Sequence, residues 1–332
     1  LHLSLRRQRQ MCIRDSLHTG GTISMAEDEN GHVSPNAVNP MNAVSMQFDE
    51  VNLVTEDIFN LPSPHVTLSD MLVLKNRIKT AFIAEDFDGV VITHGTDTLE
   101  ETAFFLDTTL SRGKPIVLTG AMRSSNELGT DGIYNLLTAI RVAADSNSSD
   151  RGVLVVMNDE IHSARYVTKT HTTNVSTFQT PTHGPVGLLT KNKIIYFHKD
   201  SENQHLDVAT VHGKVPIVKA FAGMTGEILD LLNLEQLDGL VIEALGAGNL
   251  PPIASQSLQR LLDAKVPVVL VSRCFNGIAE PVYSYQGGGS QLYEAGVMFA
   301  DEVNSQKARI KLIIALNAGL KDLSELRPFL EN

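Results

Sequence analysis

The chain is short of cysteine, of basic charge and of long apolar runs, and each shortage closes off a class of function. Cys12 and Cys274 are the two cysteines in 332 residues. Two are too few for a disulfide framework, and neither belongs to a CxxC pair, so a reducing compartment is favoured. Lysine and arginine number 27 against 38 aspartates and glutamates, a net charge of −11. A nucleic-acid partner, which wants a basic face, is therefore not expected. No apolar run approaches the ~18 residues of a membrane span, so no membrane partner is expected either. There is no GxxxxGK[ST], and Gly246-Ala247-Gly248 lacks a third glycine in register for a dinucleotide loop. No repeat of solenoid period and no low-complexity tract are present.

What is present reads as a globular α/β protein of two domains. Gly89-Val90-Val91-Ile92 is a β-branched run without alternation, the pattern of a strand buried on both faces of a parallel sheet. The runs from Ile116 and Val153 repeat it, with helical patterns at 99–106 and 131–144 between them. A larger N-terminal parallel-sheet domain with helices on both faces is expected over 17–198. The polar stretch 199–213 reads as a linker, and a smaller C-terminal α/β domain as 214–332. Residues 1–16 carry four arginines and no apolar core of signal-peptide length. They make a poor strand where one is expected before Leu17, and are read as a foreign or misread segment. A cytoplasmic location follows, with a lost export signal left open.

The chemistry gathers where strands end. His94-Gly95-Thr96-Asp97-Thr98 follows the 89–92 strand, placing Thr96 and Asp97 at a carboxyl edge, where open α/β sheets bind ligands. Thr19-Gly20-Gly21-Thr22 offers two glycines for close backbone approach and a hydroxyl just beyond. Each has a plainer alternative. Thr22 and Asp97 suit helix caps, Ser63 between Pro62 and Pro64 suits a turn, and His94 reads as a satisfied structural histidine. Lys169 stands among threonines in a strand-like stretch. Residues 26–42, polar and aperiodic, read as a lid or an unstructured segment.

Together, Thr19-Gly20-Gly21-Thr22-Ile23, Thr93-His94-Gly95-Thr96-Asp97-Thr98, Gly120-Ala121-Met122-Arg123 and Val167-Thr168-Lys169-Thr170, in this order, resemble the bacterial-type L-asparaginase family. The resemblance runs from about Leu17 to the C-terminus. It implies hydrolysis of L-asparagine to L-aspartate and ammonia with neither metal nor cofactor. It also implies a homotetramer of two intimate dimers, with each site formed between the N-terminal domain of one subunit and the C-terminal domain of its neighbour. By motif position, Thr22 would be the nucleophile, and Thr96, Lys169 and Asp97 the second catalytic group. Gly21, Ser63, Thr96, Asp97, Ala121 and Asn249 would bind substrate, with Asn249 equally readable as a turn asparagine.

The chemistry of amide hydrolysis fits these roles. A sluggish electrophile needs a positioned nucleophile and a stabilised oxyanion. Thr22 supplies the first, and the N–H groups of Gly21 and Thr96 are candidates for the second. One departure stands out: residues 24–52 hold no tyrosine, although many family members place one there to activate the threonine. His32, Ser34 or a tyrosine from 274–293 are the open alternatives. Two rival functions are an amidotransferase subunit, which normally carries a further N-terminal domain, and a non-catalytic amino-acid sensor, which would have no use for Thr22 or Lys169.

Overall fold

The computed structural model describes residues 11–36, 51–200, 204–300 and 302–331, with the backbone alone over 11–16. The chain divides into two compact units. The first comprises Leu1–Ala103, Ser111–Gln179 and Pro185–Asp200, and the second Phe104–Leu110, Thr180–Gly184 and Ser201–Asn332.

The first unit is built on a nine-stranded sheet. Its elements in chain order are β1 (Met11–His18), β2 (Met25–Glu27), β3 (Val33–Pro35), β4 (Val51–Leu53), β5 (Glu56–Asp57), α1 (Leu68–Ile83), β6 (Gly89–Thr93) and the start of α2 (Leu99–Thr109), whose residues from Phe104 count with the second unit. Then come β7 (Ile116–Thr119), α3 (Gly132–Ala144), β8 (Val153–Met157), β9 (Glu160–Ser163), β10 (Thr168–Lys169), β11 (Phe178–Gln179), β12 (Gly187–Leu189) and β13 (Ile194–Tyr196). The sheet order is β13-β12-β9-β8-β7-β6-β1-β4, with β5 also paired to β1. From β4 to β8 the pairings are parallel, and every residue of β6, β7 and β8 is buried, as their unalternating β-branched sequences require. α3 covers one face, packing Leu136, Ala139, Ile140 and Ala143 against Val91, Val117 and Leu154.

Two expectations are corrected. The sheet is mixed rather than parallel throughout, because β9, β12 and β13 run antiparallel to their neighbours. The cause is local: Asn158 and Asp159 both adopt positive φ, 51° and 65°, the geometry of a two-residue turn that folds β9 straight back on β8. Residues 11–16, read as a poor strand, form the N-terminal part of β1, which lies between β4 and β6. Main-chain pairing asks for no particular side chain, and a register shift between Arg14 and Leu17 absorbs the irregularity.

The second unit holds a four-stranded parallel sheet of order β14-β15-β16-β17. Its strands and helices alternate: β14 (Ile217–Lys219), α4 (Glu227–Asp230), β15 (Leu240–Ala244), α5 (Pro252–Asp263), β16 (Val268–Ser272), α6 (Gly289–Glu294), β17 (Met298–Phe299), α7 (Ser305–Asn317) and α8 (Leu323–Leu330). α5 sends Ala254, Leu258 and Leu261 into a core with Leu240, Ile242, Val268 and Leu270. Among the described residues no helix is long and apolar enough to cross a membrane.

Candidate active site

In the first unit the chain leaves β1 to pair on one side with β4 and, later, on the other with β6. This is a topological switch point, and the crevice beyond the carboxyl ends of β1 and β6 is where such sheets take ligands. The tips of β1, β6 and β7 are tied together there. Thr19 N–H and its hydroxyl both donate to Thr93 O at 3.1 and 2.9 Å, and His94 N–H donates to Thr119 O at 2.9 Å.

Glycines decide how close the loops come. A Cβ at Gly21 would stand 2.2 Å from Gly95 Cα, and one at Gly95 would stand 2.7 Å from both Cβ and Oγ of Ser63. Gly20, at φ 100°, lies so near Leu61 that a Cβ would meet its backbone N and O at 2.5 Å. Thr22 and Thr96 each follow one of the two touching glycines, so close packing of bare backbone sets both hydroxyl-bearing residues at one place. Thr22 opens a short 3-10 turn, Thr22–Ser24, and is partly buried. Ser63 is 4 % exposed; its hydroxyl accepts from Asp97 N–H at 3.2 Å, and its carbonyl accepts from the Thr98 hydroxyl at 2.8 Å.

Lys169 completes the group. Its Nζ donates to Thr96 Oγ1 at 3.0 Å and to Asp97 Oδ1 at 2.7 Å. The ammonium is mostly enclosed, at 18 % side-chain exposure, while Asp97 keeps 58 %. Asp97 thus presents a carboxylate to solvent from a position fixed at both its N–H and its Oδ1. Ala121 is fully buried at the tip of β7, on a loop whose Met122 and Arg123 N–H groups donate to the Asp131 carboxylate. His94 is spent on structure. Its Nδ1 donates to Gly95 O at 2.8 Å, and Nε2 lies 2.9 Å from the Thr102 hydroxyl. Burial pushes its pKa down to about 4, against the opposing pull of the Gly95 carbonyl, so the ring is neutral.

The segment after Thr22 is more ordered than its composition implies. β2 and β3 form a hairpin closed by Asp28, whose carboxylate accepts from the N–H groups of Asn30 and His32 and is thereby held below the ordinary carboxylate range. Residues 37–42 of the expected lid lie outside the described residues. His32 and Ser34 both sit on this hairpin and are exposed. Tyr283 and Tyr285 belong to the second unit, their rings 5.6 Å apart. Asn249 belongs there too; it is bridged to Leu245, and its Oδ1 accepts from Gly289 N–H at 3.1 Å. Thus Gly21, Thr22, Ser63, Thr96, Asp97 and Lys169 come together as the sequence suggested, with Ala121 on the adjoining strand tip.

Three residues escaped the sequence reading. Thr98 grips Ser63 as above. Glu100 accepts a hydrogen bond from Lys169 N–H at 2.8 Å. Asn126 acts as a piece of strand: its Oδ1 accepts from Glu27 N–H at 2.8 Å and its Nδ2 donates to Glu27 O at 2.9 Å. The helical spacing of Thr96, Asp97 and Glu100 was a usable signal for the second. Nothing local marks a bond between Glu27 and Asn126, 99 positions apart.

The cluster lies at the carboxyl edge of an α/β sheet, and comparison with known proteins identifies the family that carries it. The asparaginase N-terminal domain profile matches residues 16–202, and the glutaminase/asparaginase C-terminal domain profile matches 214–330. A probable L-asparaginase of Deinococcus radiodurans is 41% identical over 308 residues, covering 91% of this chain and 92% of the relative. L-asparaginase 2 of Escherichia coli is 37% identical over 311 residues, covering 90% and 87%. The crystal structure of a probable cytoplasmic L-asparaginase from Campylobacter jejuni superposes with a TM-score of 0.85 at 32% identity, covering 96% of this chain and 99% of that one. The chain belongs to the asparaginase family.

Proposed function

We propose that the protein hydrolyses L-asparagine to L-aspartate and ammonia through a threonyl acyl-enzyme. The observation that carries this reading is the cluster in which Lys169 Nζ bonds both Thr96 Oγ1 and Asp97 Oδ1, one backbone contact away from Thr22. The Thr22 hydroxyl attacks the carboxamide carbon, its proton leaving toward the departing amine, and ammonia is expelled as the ester forms. The developing oxyanion is met by the N–H groups of Gly21 and Thr96. Water then attacks the ester and restores Thr22. Thr96, Lys169 and Asp97 form the group that handles the proton, their hydrogen bonds fixing which oxygen the lysine serves. The exposed Asp97 carboxylate takes the α-ammonium of the substrate in a charge-assisted contact, and Ser63 takes its α-carboxylate. Ala121 lines the same edge. The family relationship and the cluster support these roles alike.

The reading extends to assembly and place: a homotetramer of intimate dimers in which Asn249 serves a neighbouring subunit's site, located in the cytoplasm. Sedimentation at micromolar concentration reads the first directly. A monomer with full activity would dismiss it. The test of the chemistry is ammonia release from L-asparagine by the parent, Thr22→Ala and Lys169→Met. Parent activity with each variant down by at least ~10³-fold is expected, as for groups that act as a unit. Binding of aspartate by a folded but inactive parent would favour a sensor instead.

A further inference from the structure

Lys169 hangs on very little secondary structure. β10 is two residues long and, among the described residues, pairs only with β11, as an antiparallel pair apart from the main sheet. A two-stranded ribbon of this size is marginal without outside support. Thr170 N–H points toward the partner strand, donating to Thr177 O at 2.8 Å. By the alternation of a strand, Lys169 N–H points the other way, to an edge where no strand among the described residues is paired to it. A side chain meets it there: Glu100 Oε2 accepts that N–H at 2.8 Å, from a residue only 4 % exposed.

We propose that Glu100 is the positioning residue of Lys169. Thr96, Asp97 and Glu100 lie within five consecutive residues leading into α2, and between them they hold both ends of the lysine. Glu100 fixes its backbone, and Thr96 and Asp97 fix its ammonium. The carboxylate stands in for a neighbouring strand. A long side chain with free rotamers is thereby confined to the one path that brings Nζ to Thr96 Oγ1. The inference rests on the reading of Lys169 as catalytic.

Two conservative variants separate reach from charge. Glu100→Asp keeps the charge and shortens the side chain by about 1.5 Å, one carbon–carbon bond, which takes the carboxylate out of hydrogen-bond range of Lys169 N–H. Glu100→Gln keeps the reach and an accepting oxygen but loses the charge. Steady-state kinetics on L-asparagine should give Glu100→Asp a kcat lower by ~10- to 100-fold, with KM within about threefold of the parent, as expected of a displacement near ~1 Å. Glu100→Gln should recover kcat to within about threefold. In a Lys169→Met background, Glu100→Asp should cost less than about twofold, since the group it positions is gone. The proposal is overturned if Glu100→Asp behaves as the parent, if Glu100→Gln is as impaired as Glu100→Asp, or if the full loss persists without Lys169. An active Lys169→Met would instead remove the catalytic reading of the lysine itself.

Discussion

Substituting alanine for Gly95 tests the claim that bare backbone brings the two threonines together. Gly95 does not have a positive φ, so alanine there meets no conformational penalty and the effect is steric alone. The added Cβ would lie 2.7 Å from Ser63 Cβ and Oγ and 3.0 Å from Gly21 Cα. Ordinary contact begins near 3.4 Å, so Ser63 must retreat by 3.4 − 2.7 = 0.7 Å and Gly21 by 0.4 Å. Neither atom set is the loose end of a flexible side chain. Overpacking of this kind costs about 1–3 kcal/mol of stability, leaving the protein folded. Catalysis suffers as well, because the displaced atoms belong to the loops of Thr22 and Ser63, and about 1 Å of misplacement costs on the order of 100-fold. Gly95→Ala should therefore keep a cooperative urea transition at a lower midpoint while kcat/KM for L-asparagine falls between ~10- and 100-fold. Ser63→Gly in the same chain removes the worst contact and should return most of the lost stability. A Gly95→Ala enzyme with parental kcat/KM and an unshifted midpoint would refute the reasoning.

Three further expectations follow from single contacts. His94 titrates near 4 when folded against 6.5 when unfolded. The unfolded chain thus binds the extra proton between those values, and the stability it contributes, about 3 kcal/mol, is present above pH 6.5 and lost as pH falls toward 4. Denaturant midpoints measured across that range should slope less in His94→Asn than in the parent, and equal slopes would contradict the assignment. Asn126→Ala removes both bonds to Glu27, about 1 kcal/mol each. Limited proteolysis should then cut within 25–36 faster while the global unfolding midpoint stays put; unchanged cleavage would show the hairpin is held by other means. The turn at Asp28 should also loosen in acid, since its carboxyl is held below the usual range and its stabilisation is lost as pH falls through that lowered value. Amide exchange at Asn30 and His32 reads this, and protection that survives protonation would exclude it.

Much of the first unit was legible because its strands are buried on both faces. That burial writes runs rich in β-branched residues, without polar alternation, at 89–93, 116–119 and 153–157, and glycine or polar residues mark their ends. The antiparallel edge was less legible, although Asn158-Asp159 carried the turn signal for it. β10 was legible as a strand-like stretch around Lys169, while its partner β11 escaped because a two-residue strand has no periodicity to read. The hairpin after Thr22 escaped for a different reason. Its polar sequence is shaped by the Asp28 turn and by Asn126 rather than by burial.

The sequence by itself determined the chemistry on offer: a threonine after paired glycines, a threonine–aspartate pair at a strand tip, a serine among prolines and a lysine among threonines. Local order also fixed that Thr96 and Asp97 stand together just before the same helix, since neighbours in sequence cannot part. Only the tertiary structure decided which of these meet. Asp97 meets Ser63 across 34 positions because parallel strands place their carboxyl ends along one edge whatever their separation in the chain, whereas Lys169 reaches Thr96 across 73 from the separate antiparallel pair of β10 and β11, with Glu100 holding its N–H. The distances at that edge are set by what glycine lacks. Gly21 and Gly95 read in sequence as turn residues, and it is the contact between them, made possible by two missing side chains, that puts Thr22 beside Thr96.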